Sequence, residues 1–197
     1  MGLRDRGAAG ASEAPTPHRV GRNHHALEFA AAVREEDFAT AEGAYGATGG
    51  AVRVLDVWGL TGADVATVAR WCTSRPQSAT AHVALGACHL ENAWAIRGRD
   101  LAEAVPNATL ERFFGELRRA EAAFERAVEL DGEDPAPWSL LLVSGRGLEI
   151  PVEELRLRFE QATRREPELL SAHLAMLQTL APRWFGSHDE VLAFAHA

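Results

Sequence analysis

The sequence predicts an all-α fold, and three observations carry that expectation. Apolar residues at Leu110, Phe113, Phe114, Leu117, Ala120, Phe124, Ala127 and Val128 fall three or four apart. That spacing lays one continuous stripe down a helix of 3.6-residue period. Glu111, Arg112, Glu116, Arg118, Arg119, Glu121, Glu125 and Arg126 take the other face. The composition agrees: alanine is abundant and isoleucine occurs only at Ile96 and Ile150, a balance that favours helix. Finally, Asp131, Gly132, Glu133, Asp134 and Pro135 form a tight stop, with Pro135 suited to the start of a following helix.

The remaining elements follow in chain order. Met1 to Asn23 holds Gly, Ala, Ser, Pro and scattered arginines without an apolar segment. It reads as a disordered tail, or alternatively as a basic docking arm using Arg4, Arg6, Arg19 and Arg22. His24 to Ala44 is helical, with Leu27, Ala30, Ala31 and Phe38 on one face and a turn marked by Glu35, Glu36 and Asp37. Tyr45 to Ala51 carries three glycines and reads as a loop. Val52 to Leu60 alternates only in part, so strand and helix both fit, and the helical context favours helix. Thr61 and Asp64 have capping-box spacing before a helix over 63–73, which Ser74 to Gln77 ends.

Ser78 to Arg97 is a long helix with Gly98 as its C-cap. A short helix, Asp100 to Val105, stops at Pro106, and Asn107 or Thr109 caps the organising helix. The helix opened by Trp138 ends near Gly145 to Gly147. Another runs from Glu149-Ile150-Pro151 to Arg165, and a further one spans Leu169 to Leu180. Pro182 to Gly186 is an aromatic turn with Trp184 and Phe185. Ser187 and Glu190 then cap a last helix that reaches Ala197.

Several residues in this pattern resemble a known family. Ala120, Phe124 and Ala127, then Asp131 to Pro135, then Trp138, Leu141 and Leu142 resemble one tetratricopeptide repeat running into the next. Phe159, Ala162 and Pro167 reproduce the spacing of Phe124, Ala127 and Gly132, and His173 takes the place of Trp138. Upstream, Arg75-Pro76 followed by Ala81 to Gly86 parallels Glu166-Pro167 followed by Ala172 to Leu177. Leu85-Gly86 stands where the repeat has its Leu-Gly pair. The best match covers 110–167. Trp94 to Val105 is an additional section that lengthens one repeat by about 22 residues relative to the standard period.

The resemblance implies a degenerate tetratricopeptide-like α-solenoid over 24–197, with eight or nine helices stacked as antiparallel pairs. Alpha-alpha hairpins that merely look repetitive are the alternative. The last helix is still apolar at Leu192 and Phe194, so we expect an array cut short at its C-terminal end.

Composition bounds the function. The chain has 197 residues, enough for one domain with a sizeable core. All 20 basic residues are arginine, a bias that fits a GC-rich bacterial genome. The net charge of −8 disfavours a nucleic-acid partner, because phosphate binding needs a basic face. No apolar run is long enough to span a membrane or form a secretory signal. Cys72 and Cys88 lack metal-ligand spacing and read as thiols in a reducing compartment, which places the protein in the cytoplasm.

No catalytic motif emerges, so the expectation is a non-catalytic module with no cofactor. His82 and His89 share one helix face, and an all-helical metal-binding protein or enzyme would add Glu91 or His173. Packing histidines are the plainer reading. Cys88-His89 forms no dyad, since neighbouring residues on a helix point about 100° apart. Ser187-His188-Asp189 at a helix start is better explained by capping.

Resemblance to tetratricopeptide proteins implies a concave groove that holds an extended peptide or a partner helix. Arg97-Gly98 and Arg146-Gly147 recur at two helix ends. They read either as guanidinium groups ready for an acidic partner or as dipole-favoured arginines before glycine caps. The candidate groove residues are His82, Asn92, Arg97, Trp138 and Arg146. The family's peptide-carboxylate clamp motif is not present as such. A structural homo-oligomer is a further alternative.

Overall fold

The computed structural model describes residues 24–60, 65–98 and 105–196. The N-terminal tail, the Thr61–Asp64 capping box, nearly all of the short helix from Asp100 and the final Ala197 lie outside them. Ten helices and no strand occur among the described residues: α1 (His24–Arg34), α2 (Phe38–Gly46), α3 (Gly50–Trp58), α4 (Val65–Ser74), α5 (Ala79–Arg97), α6 (Asn107–Leu130), α7 (Pro135–Gly147), α8 (Val152–Arg165), α9 (Leu170–Thr179) and α10 (His188–Ala195).

Local chemistry sets most boundaries. Asp37 caps α2 by accepting from the Thr40 N–H at 3.1 Å, and Ser78 caps α5 by accepting from the Ala81 N–H at 3.2 Å. Gly98 ends α5 at φ 64°, a conformation that suits glycine. Asp134 caps α7, whose first residue is Pro135, and Ser187 caps α10.

The glycine-rich stretch expected as one loop instead holds the end of α2 and the start of α3. Contacts distant in sequence explain the difference. The buried Tyr45 hydroxyl donates to Asp134 Oδ2 at 2.7 Å, and Glu166 Oε2 accepts from the Gly50 N–H at 2.9 Å.

α5 lies along α6, and each later helix packs on its predecessor; α7 also meets α9. α1 packs on α2, α3 and α4, while α4 covers α5. One core runs from Phe29 and Trp71 through Leu90 to Leu117, Phe124 and Leu140. A second gathers Leu142, Leu155, Ala162, Leu169 and Ala172. Gly86 lets α5 approach α6, because a Cβ there would overlap the buried Phe124 ring. Glu121 of α6 pairs with both terminal nitrogens of Arg158 in α8 at 2.9 Å. It also accepts from the Ser144 hydroxyl of α7.

Two helix stops are built alike, and a third differs. His82 Nε2 meets the Pro76 carbonyl at 3.3 Å, and His173 Nε2 meets the Pro167 carbonyl at 2.8 Å. At the third stop Trp138 stands in place of histidine. There Arg165 donates to the Gly132 carbonyl and lays its guanidinium 5.3 Å from the Trp138 ring. Phe124, Phe159 and Phe194 stand at equal intervals along the chain.

Candidate binding face

α5, α7 and α9 are each contacted by α3, which sits at the N-terminal end of α7. A Cβ on Gly50 would overlap the Pro135 ring. Glu166 accepts from both Gly50 N–H (2.9 Å) and Ala51 N–H (3.3 Å), an anion at a helix N-terminus. Arg53 of α3 pairs with the buried Asp134 at 3.3 Å and donates to the Tyr45 carbonyl at 3.2 Å. Burial and the neighbouring Asp134 carboxylate push the Tyr45 phenol well above its ordinary range. Asp56, also on α3, is fully buried. Burial raises its carboxyl to about 6, and Thr48 Oγ1 donates to its Oδ2 at 3.4 Å.

The other end of α7 carries Arg146, with only 6 % of its surface exposed. Its guanidinium lies 5.9 Å from the Trp94 ring of α5 and 5.3 Å from Trp184, in the turn between α9 and α10. The two indoles meet edge to face, with centroids 6.2 Å apart at 88°. Arg146 Nη1 donates to the Ala175 carbonyl of α9 at 3.3 Å. Its Nε and the Trp94 Nε1 are buried without a hydrogen-bond partner among the described residues. No described carboxylate forms an ion pair with it, although Arg53, Arg70, Arg75, Arg119, Arg126, Arg156 and Arg158 each have one. Burial lowers the Arg146 guanidinium to about 10, so it remains a cation at neutral pH.

The two Arg-Gly pairs therefore differ. Gly98 is a left-handed cap. Gly147 is the last residue of α7, with Leu148 as the C-cap, and its missing Cβ makes room for Leu117, Trp94 and Phe113. Gly147 thus brings the α7 end against the aromatic residues beside Arg146.

The five candidate residues occupy different places. His82 and Trp138 serve the helix stops. Asn92 is exposed and lines a cleft of about 590 Å³ between α5 and α6, with Ala95, Ile96, Thr109, Arg112 and Glu116. Arg97 is half-buried at the end of α5. Arg146 alone joins an aromatic enclosure, which adds Trp94 and Trp184. The aromatic turn was visible in the sequence, but its seat on Trp94 was not.

The histidines do not converge either. His82 and His173 bond proline carbonyls, while His89 Nδ1 lies 2.7 Å from Glu116 Oε2. Among the described residues no three His, Cys, Asp or Glu side chains gather as a metal site. Neither Cys72 nor Cys88 is in a disulfide, and burial raises the Cys72 thiol to about 11, which makes it a poor nucleophile. No described helix is long and apolar enough to cross a membrane. No protein-family model, curated protein or solved structure matches the chain.

Proposed function

We propose that the protein is a non-catalytic interaction module that takes a carboxylate-bearing peptide at Arg146. Its frame is a tetratricopeptide-like array of antiparallel pairs, α5–α6, α7–α8 and α9–α10. Equal spacing of Phe124, Phe159 and Phe194, the Gly86–Phe124 contact and the two like-built stops at His82 and His173 support that frame.

One observation carries the binding reading: a buried guanidinium that no carboxylate among the described residues pairs with, enclosed by two indoles. Keeping such a cation out of water is costly unless an anion meets it. A peptide carboxylate supplies the missing charge and accepts charge-assisted hydrogen bonds, and Trp94 and Trp184 provide apolar walls. Trp184 lies in a turn, so it is the wall that moves to admit the peptide. α3 restricts the site to the Arg146 end of the face. The two ends of α7 are roughly 18 Å apart at the helical rise per residue, room for a short segment. Cysteines outside any disulfide fit a reducing compartment.

The test uses fluorescence anisotropy on the full chain. Labelled acidic peptides with a free C-terminal carboxylate are compared with the same peptides amidated. Free-carboxylate peptides bind, amidation weakens them at least tenfold, and Arg146→Gln abolishes binding while far-UV circular dichroism is unchanged. Equal binding of both forms, no binding of either, or full binding by Arg146→Gln overturns the assignment.

A further inference from the structure

We propose that the peptide taken at Arg146 ends in an aromatic residue, and that Trp184 holds the place which that residue's ring takes. The inference rests on the reading of Arg146 given above. The two indoles beside Arg146 are held differently. Trp94 lies within α5, where its ring meets Phe113 edge to face with centroids 5.2 Å apart, and Gly147 of α7 closes on it. Trp184 lies in the turn after α9. Its backbone N–H donates to the Ala181 carbonyl at 2.8 Å, and the Phe185 N–H donates to the Thr179 carbonyl at 3.2 Å. Pro182, Arg183 and Phe185 around it are exposed, while Trp184 is half-buried. The Trp184 ring is seated by an edge-to-face contact with Trp94 at 6.2 Å and by the Arg146 guanidinium at 5.3 Å. Both are contacts of a π system.

The guanidinium is 6 % exposed, so a carboxylate reaches it only when the ring on the turn gives way. That displacement removes an aromatic pair and a cation–π contact together. A ligand restores both by presenting a ring of its own to the same two partners. An aliphatic end group fills the space but has no π face for Arg146. In a C-terminal aromatic residue the ring and the carboxylate leave one Cα. With its ring in the Trp184 seat, such a residue carries its carboxylate to the adjoining guanidinium. There Arg146 Nε and Trp94 Nε1 are buried donors without a partner among the described residues. An aromatic residue inside a chain has its carboxyl group in a peptide bond, and an acidic side chain has no ring. Trp184 is then an intramolecular competitor. It lowers apparent affinity by the fraction of molecules in which it holds the seat.

Fluorescence anisotropy on the full chain tests this with one acidic peptide sequence ending in Phe, Leu or Ala, each with a free carboxylate. The Phe-ended peptide binds at least tenfold more tightly than the Leu-ended one, and the Ala-ended peptide binds more weakly still. Trp184→Ala, with far-UV circular dichroism unchanged, tightens the Phe-ended peptide at least threefold by removing the competitor. Equal binding of the Phe- and Leu-ended peptides overturns the aromatic end and leaves the carboxylate reading standing. Loss of binding in a folded Trp184→Ala makes Trp184 a wall that the ligand needs, and overturns the competitor. Binding of no free-carboxylate peptide removes the Arg146 reading and this inference with it.

Discussion

Replacing Arg146 by Met separates a cation kept for binding from one kept for stability. Burial lowers the guanidinium to about 10, and the shift corresponds to about 3 kcal/mol against the charged form. Because the folded value is depressed for a base, that cost is present in full at neutral pH and disappears only above about 10. Two terms offset it. The charged hydrogen bond to the Ala175 carbonyl contributes about 1.5 kcal/mol. Contact with the two indoles adds about 0.5–1 kcal/mol each. The terms nearly cancel, so Arg146→Met changes stability by no more than about 1 kcal/mol.

Arg158 is the contrast. Burial alone would lower its guanidinium, but the hydrogen bonds and charges of Glu121 and Glu154 more than reverse this. Arg158→Met strands the Glu121 carboxylate and costs about 3 kcal/mol. Urea unfolding followed by far-UV circular dichroism measures both variants. Should Arg146→Met lose as much as Arg158→Met, the guanidinium contributes net stability to the chain without any anion, and the case for one falls.

Two further perturbations test the fold around this site. Asp56 has a raised folded pKa of about 6, so its contribution to stability is full below its unfolded value and is lost as pH rises through about 6. Asp56→Asn therefore gains up to about 3 kcal/mol over the wild type at neutral pH, and thermal melts across pH ~4–6 lose much of their slope; an unchanged slope would assign the pH dependence elsewhere. Gly86→Ala drives a methyl group into Phe124 and costs about 1–3 kcal/mol by overpacking. A neutral result in the same urea assay would mean that α5 and α6 can separate freely.

The elements read most directly from sequence are those whose causes are local. Ser78, Asp134-Pro135, Gly98 and Ser187 set helix ends through groups a few residues away, and each acts in the folded chain as its type suggests. The stripe from Leu110 to Val128 likewise marks a helix that buries Phe113, Leu117, Ala120, Phe124 and Ala127. α3 was ambiguous for the opposite reason. Its sequence alternates poorly because it is covered from several sides, and its first N–H groups are capped by a glutamate 116 residues away. The two Arg-Gly pairs were indistinguishable in sequence, since a cap and a close-approach glycine differ only in backbone angle and neighbours. Trp184 carried a signal, an aromatic turn after Pro182. Its seat on Trp94 depends on how the turn between α9 and α10 returns to α5.

These long-range contacts also decide which part of the predicted groove can act. A face of α5, α7 and α9 open along its length would suit any amphipathic helix. α3 already occupies the end where Asp134 and Glu166 lie, and it satisfies both with Arg53 and with its own N-terminus. Acidic groups so occupied leave no attraction there for a basic partner. At the Arg146 end the balance is reversed: among the described residues, a cation and two buried N–H donors have only the Ala175 carbonyl between them. The chemistry left unsatisfied is therefore that of an acceptor with negative charge. The acidic partner proposed above rests on that asymmetry even though the protein as a whole is acidic, because one buried guanidinium in a low-dielectric enclosure outweighs a diffuse surface charge screened by salt.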